Sequence, residues 1–134
     1  MKDGDVVYVA GPYTAKYDFD RLRNIEKASK TTAKLWGMGL FALCPHKITA
    51  FFGGLCSESV FIEGGLEFLR RSDSVVLVDG WRDSGGTLGE IREAMKLGIP
   101  VYEDVEDFMN QIELDYEDAQ FYIDQWERRR KSRA

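Results

Sequence analysis

Four short apolar runs, separated by helix-length segments, constrain this chain more than any other feature. Val6 to Ala10 ends at Gly11-Pro12, and Leu40 to Cys44 ends at Pro45. Ser74 to Val78 is β-prone throughout, and Ile99-Pro100-Val101-Tyr102 follows Gly98. Short continuous apolar runs bounded by turn residues read as buried strands. Pro100 suggests that the fourth strand starts there or lies at an edge. From Arg21 to Gly37, the residues Leu22, Ile25, Ser29, Thr32 and Trp36 recur at helical spacing, with Asp18 or Asp20 available as a cap. Phe61 to Arg71 and Thr87 to Leu97 also read as helices, the second stopped by Gly98. The stretch 46–59 has no clear period and reads as a loop with one helical turn. Strands alternating with helices imply parallel pairing through right-handed crossovers. The expected fold is therefore α/β, a three-layer flavodoxin- or Rossmann-like sandwich with a four- or five-stranded, mainly parallel sheet.

With 134 residues, the chain fits one domain, residues 1–134. Residues 103–134 form an acidic, then basic, helical C-terminal extension, with helical spacing over 112–131 (Ile112, Tyr116, Ala119, Ile123, Trp126). No apolar run is long enough to span a bilayer. The polar start, Met1 to Asp5, lacks the layout of a signal peptide, so a cytoplasmic protein is expected. Cys44, Cys56 and the single histidine, His46, have no metal-ligand spacing, so neither metal nor cofactor is expected. The net charge is −5, yet residues 128–134 hold five cations. Subtracting those five from the 18 Lys+Arg, against 23 Asp+Glu, leaves about −10 on the rest, which repels a nucleic-acid backbone. The basic end reads as a solvated helix terminus. Neither nucleic acid nor membrane is expected as a partner.

Ligands of open parallel sheets bind beyond the carboxyl ends of the strands. Four polar segments converge there: Gly11-Pro12-Tyr13-Thr14, Pro45-His46, Asp79-Gly80-Trp81, and Ser84-Gly85-Gly86-Thr87 leading to Glu90. The last enters a helix N-terminus, where free N–H groups suit an anion and glycines allow its close approach. It has no Walker lysine and no GxGxxG spacing. Thr87-x-x-Glu90 is also a capping box, and pattern alone favours that reading of Glu90. Asp79 is either a ligand contact or a turn residue. Tyr13 and Trp81 either stack on a base or pack as loop aromatics, and His46 either touches substrate or is structural.

The ordered series Val7-Tyr8-Val9-Ala10-Gly11-Pro12-Tyr13, Asn24 with Ala28, Pro45-His46, Val76-Leu77-Val78-Asp79-Gly80, Gly86-Thr87-x-x-Glu90-Ile91 with Ala94, and Gly98-Ile99-Pro100-Val101 resembles the nucleoside 2-deoxyribosyltransferase superfamily. That group includes nucleotide 5′-monophosphate N-glycosidases and small uncharacterised relatives. The resemblance covers roughly residues 6–102. It implies that Glu90 is the nucleophile that attacks the anomeric carbon and displaces the base. It implies that Tyr8 orients Glu90 and that Tyr13 walls the base. Asp79 falls in the family's Asp-Gly loop.

Within the superfamily, transferases usually carry an aspartate where this chain has Ser84, and the N-glycosidases carry a serine that helps hold the phosphate. The resemblance therefore implies an N-glycosidase, a hydrolase acting on a nucleoside 5′-monophosphate or deoxynucleotide. Gly11, Tyr13, His46, Asp79, Trp81, Ser84, Gly85, Gly86 and Thr87 are the expected substrate-binding residues. The alternatives are a deoxyribosyltransferase and a non-catalytic nucleotide-binding protein. Two departures stand out. Pro12 and Thr14 replace the serine and arginine of the N-glycosidases' first loop. Gly65 stands where an aspartate helps protonate the leaving base, so the general acid is unassigned. The resemblance also implies a homo-oligomer, with the stripe 112–126 either in the interface or covering the sheet.

Overall fold

A computed structural model describes residues 2–13, 15–49 and 52–133, without the side chain of Arg133. Thr14 of the first loop lies outside the described residues. Four parallel strands, β1 (Val6–Ala10), β2 (Phe41–Leu43), β3 (Ser74–Leu77) and β4 (Val101–Tyr102), form one sheet in the order β2-β1-β3-β4. Val7 and Val9 face one side of the sheet, and Tyr8 and Ala10 the other; all four are buried. This two-sided burial explains why β1 is an uninterrupted apolar run. β4 lies at an edge, as Pro100 predicts, and the Pro100 carbonyl accepts the Val75 N–H.

Helices cover both faces. Helix α1 (Asp18–Gly37) and the short α5 (Val105–Met109) pack on the Val7 face through Ala28, Leu35 and Phe108. Helices α3 (Glu58–Arg70), α4 (Gly85–Leu97) and α6 (Tyr116–Arg133) cover the Tyr8 face through Leu69, Leu88, Ile91, Ala94, Ala119 and Ile123. A single turn, α2 (Pro45–Ile48), opens the segment after β2. The result is the expected three-layer sandwich, with four strands.

Several local expectations are corrected. Helix α1 begins at Asp18, and neither Asp18 nor Asp20 caps it; Tyr17 occupies the cap position with no side-chain bond. The two aspartates sit in the first turn, where their charge favours the helix dipole. The face of α1 marked by Leu22 and Trp36 is exposed, because the contact to the sheet runs through the smaller Ala28 and through Leu35. Trp36 instead caps the edge of β2: its indole N–H donates to the Ala42 carbonyl at 2.9 Å and its ring packs on Phe41. In the C-terminal stripe, Ala119 and Ile123 bury against α4 and its neighbours, whereas Ile112 and Tyr116 remain exposed. The acidic stretch is itself partly helical, as α5.

β1 and β3 approach unusually closely at their carboxyl ends. A Cβ on Gly11 would stand 2.6 Å from the Val78 Cβ, a distance no side chain tolerates. Gly86, by contrast, opens on empty space. Gly11→Ala is expected to destabilise the protein by about 1–3 kcal/mol through overpacking. Gly86→Ala is expected to leave stability unchanged or raise it by up to about 1 kcal/mol, because alanine favours a helix. Urea denaturation of both variants measures the contrast; equal midpoints would contradict it.

Candidate active site

The sheet order β2-β1-β3-β4 puts a topological switch point between β1 and β3, since the chain leaves these neighbours toward opposite edges. Tyr8 sits mid-strand on β1 with 1% exposure, so its hydroxyl needs a partner inside the protein. The partner is Glu90, on the second turn of α4, whose Oε2 accepts the phenolic hydrogen. Room for this pair comes from α3: a Cβ on Gly65 would stand 3.2 Å from the Tyr8 hydroxyl. Gly65 thus borders the Tyr8–Glu90 pair directly.

The capping-box reading of Glu90 is not what the helix adopts. Ser84 is the N-cap of α4, and its Oγ accepts both the Thr87 N–H, at 3.3 Å, and the Thr87 hydroxyl, at 2.9 Å. Thr87 lies inside the first turn, with 1% exposure. With Ser84 as the cap, Glu90 is free to point at Tyr8. Burial pushes the Glu90 carboxyl up to about 7, while the Tyr8 hydrogen bond pulls in the opposite direction. Burial and then the Glu90 charge raise Tyr8 well above its ordinary range, so Tyr8 is a permanent donor. A buried carboxyl titrating near neutrality with a fixed donor is a pattern of functional sites.

In the loops that follow β1 and β2, Tyr13 and His46 stack with ring centroids 5.0 Å apart and planes 27° off parallel. Burial lowers His46 to about 4, partly offset by a bond to the Gly11 backbone, so the ring is neutral at pH 7. Its Nδ1 is buried with no partner among the described residues. Asn24 was not anticipated as a site residue. From α1 its side-chain N–H donates to the Tyr13 carbonyl at 3.4 Å and ties the first loop down. Its place, with Ala28, in the series that carries the family resemblance was the signal for it. Asp79 is exposed after β3, and Gly80 follows with φ +96, where a Cβ would stand 3.2 Å from Pro12 Cγ.

One expected site residue, Trp81, is elsewhere, and a second, Gly85, has a packing duty besides its place at the start of α4. Trp81 is 1% exposed and packs edge-on against Tyr122 of α6, with the Arg82 guanidinium 4.4 Å over its ring. It anchors α6 and does not wall the cleft. Gly85 is required by packing: a Cβ there would stand 2.4 Å from the Trp126 Nε1. Of the glycine pair, only Gly86 faces open space, and the amides of Gly85 and Gly86 have no intrahelical acceptor. Among the described residues no cluster of three metal-binding side chains occurs, and no helix is long and apolar enough to cross a membrane.

The Glu90 shift has a thermodynamic consequence. Between about 4.5 and 7, folded Glu90 holds a proton that the unfolded chain has lost, so its contribution to stability falls as pH rises through that window. Glu90→Gln is expected to stabilise the protein by on the order of 1–3 kcal/mol at pH 8 and by little at pH 4. Melting temperatures across pH read this directly. A variant less stable than wild type at pH 8 would show that Glu90 is held by interactions favouring its charge.

Residues 5–103 match the family described as Domain of unknown function (DUF4406). No curated protein matches the chain. A solved 2-deoxyribosyltransferase from the psychrotolerant bacterium Bacillus psychrosaccharolyticus is similar at 22% identity, over 72% of this chain and 69% of that one, with a TM-score of 0.52. The α/β sandwich and its match over residues 5–103 agree: the chain belongs to the DUF4406 family and shares its fold with a 2-deoxyribosyltransferase, the resemblance its sequence carries.

Proposed function

We propose that this protein is an N-glycosidase that hydrolyses a nucleoside 5′-monophosphate or deoxynucleotide, with Glu90 as nucleophile. The observation that carries the reading is the Tyr8–Glu90 pair: a helix-borne glutamate released from capping, desolvated, and aimed by a buried phenol at the switch point of the sheet. In the first step a Glu90 oxygen bonds to the anomeric carbon as the C–N bond to the base breaks, and the base leaves with the electron pair. In the second step water attacks the same carbon, the ester bond breaks, Glu90 regains its carboxylate, and the proton that water gives up balances the one the departed base takes. Tyr8 holds the attacking carboxylate in place and stays protonated throughout.

The Tyr13–His46 stack supplies a flat, neutral surface for the base, with the unpartnered Nδ1 of His46 available to a polar edge. The Ser84 hydroxyl, which accepts two bonds from Thr87, keeps its own hydrogen to donate. Together with the free amides at the start of α4 and the open face of Gly86, it forms a site for the 5′-phosphate. Asp79, exposed after β3, is available to the sugar. The fold shared with a 2-deoxyribosyltransferase favours a second reading, in which a base replaces water as acceptor.

Base release from nucleosides and 5′-monophosphates, followed by chromatography, tests the proposal. Wild type is expected to release base, and Glu90→Ala to lose at least about 10³-fold in turnover. Gly86→Ala is expected to raise KM for the monophosphate and leave the nucleoside unaffected. Because attack needs ionised Glu90, kcat/KM should rise with pH and level off above about 7. Release only in the presence of an added base would assign the transferase. Binding without release from any substrate would make the protein a nucleotide-binding one.

A further inference from the structure

Helix α6 lies beyond residues 5–103, the part of the chain that matches the family, yet it packs along the segment that leads into α4. Trp81 is buried, and its indole N–H has no acceptor among the described residues, so its side chain is held by packing. Tyr122 of α6 supplies part of that packing, with ring centroids 5.7 Å apart. The Arg82 guanidinium lies 5.5 Å from the Tyr122 centroid and pairs with Glu103, just after β4, at 2.6 Å. Gly85 then passes under the indole of Trp126: a Cβ there would stand 2.4 Å from Nε1, 2.9 Å from Cε2 and 3.2 Å from Cδ1. Trp126 is itself held. The Arg130 guanidinium, one turn later, lies 4.8 Å over its ring, and the adjacent Glu127 pairs with Arg92 of α4.

Helix geometry divides the start of α4 between two neighbours. Gly86 stands four residues before Glu90, hence on the same face, and a Cβ there would meet nothing within 4 Å. Gly85 is turned about 100° from Gly86, toward Trp126. Leu88, three residues after Gly85, continues that second face into the core. The first N–H groups of a helix make no bonds within it, so the first turn is fixed by its cap and by what packs on it. Here the cap is Ser84 and the packing is Trp126. We propose that Trp126 is a positioning residue for the nucleotide's 5′-phosphate. By packing on Gly85 it fixes the first turn of α4, with the Ser84 hydroxyl and the free amides set in advance for the anion. The inference rests on the N-glycosidase reading, which puts the phosphate at this turn. A site ordered on folding binds more tightly, because no ordering remains to be done on binding. The phosphate contact is made equally before and during bond breaking, so loosening it raises KM and leaves kcat. Glu90 lies one turn deeper and keeps Tyr8 as its partner.

The test uses the full chain and two readouts. In base release, Trp126→Ala is expected to raise KM for the 5′-monophosphate about tenfold, with kcat and nucleoside turnover near wild type. Gly85→Ala drives a methyl against the same indole from the α4 side and is expected to raise KM likewise. In the double variant the clash is gone, so the second change should add little to the first. The other readout needs no turnover: inorganic phosphate is titrated against the amide resonances of Gly85, Gly86 and Thr87. Wild type is expected to show saturating shifts, and Trp126→Ala to need about tenfold more phosphate. If Trp126→Ala does not fold, Trp126→Leu, which keeps apolar bulk at the position, takes its place. A wild type that releases no base refutes the N-glycosidase reading and leaves the titration to decide this inference. The inference is overturned if the variant binds phosphate as wild type does, or if phosphate shifts no first-turn amide in wild type. A loss that falls on kcat, or equally on nucleoside and monophosphate, also overturns it, because Trp126 would then serve the fold at large.

Discussion

A phenol in the middle of a strand that is buried on both faces has few places to send its hydroxyl, and much of this molecule follows from where Tyr8 sends it. β1 and β3 are the two strands with sheet neighbours on both sides, and Tyr8 is the polar side chain that β1 sends to the α3–α4 face. An unpaired buried hydroxyl costs on the order of 1–3 kcal/mol, so the partner must come from a covering helix. Glu90 supplies it from α4. At the point of contact α3 presents Gly65, where a Cβ would crowd the Tyr8 hydroxyl at 3.2 Å. A strand, two helices and a glycine are thus fixed by one hydrogen bond.

The start of α4 shows how a local competition is decided by its neighbours. Ser84 and Thr87 are both good N-caps, and Thr87 has a glutamate at the spacing of a capping box. The helix that forms is one that lets Gly85 pass under the Trp126 ring of α6 and lets Thr87 turn into the core. Both accompany Ser84 as the cap. Glu90 then falls on the face toward Tyr8, and its carboxyl is left without a capping duty. Tertiary contacts from α6, late in the chain, therefore set the geometry of a residue near the middle of it.

The same reasoning separates what was legible in the amino-acid sequence from what was not. The strands were legible because burial on two faces leaves an uninterrupted apolar run, as in Val6–Ala10 and Ser74–Val78, and Pro100 betrayed the edge strand. The meeting of the first two loops, in the Tyr13–His46 stack, followed from parallel topology alone. Trp81 was misplaced because an aromatic in a loop carries no mark of which side it faces. Only Tyr122 and Arg82, folded against it, show that it points into the core. Gly85 and Gly86 are chemically identical in sequence, yet one is demanded by an indole and the other faces open space. The outward turn of Leu22 and Trp36 on α1 was hidden because Ala28, the smallest apolar residue, makes the close contact with the sheet.

Glu90 also raises a question of why a folded chain keeps it. A carboxyl pushed up to about 7 by burial works against the folded state at neutral pH, by an amount comparable to burying one aliphatic side chain. Against a net stability of roughly 5–15 kcal/mol for a domain, that is a substantial fraction. A helix cap would act with the opposite sign, since a capping glutamate stabilises by satisfying N–H groups. Nor does Tyr8 require a charge: a glutamine or asparagine carbonyl would accept its hydrogen with less desolvation. A group that lowers stability, where a neutral one would satisfy the same donor, is explained by a need for its ionisation. The stability of the fold alone therefore does not account for Glu90, whereas the reaction proposed at the switch point would.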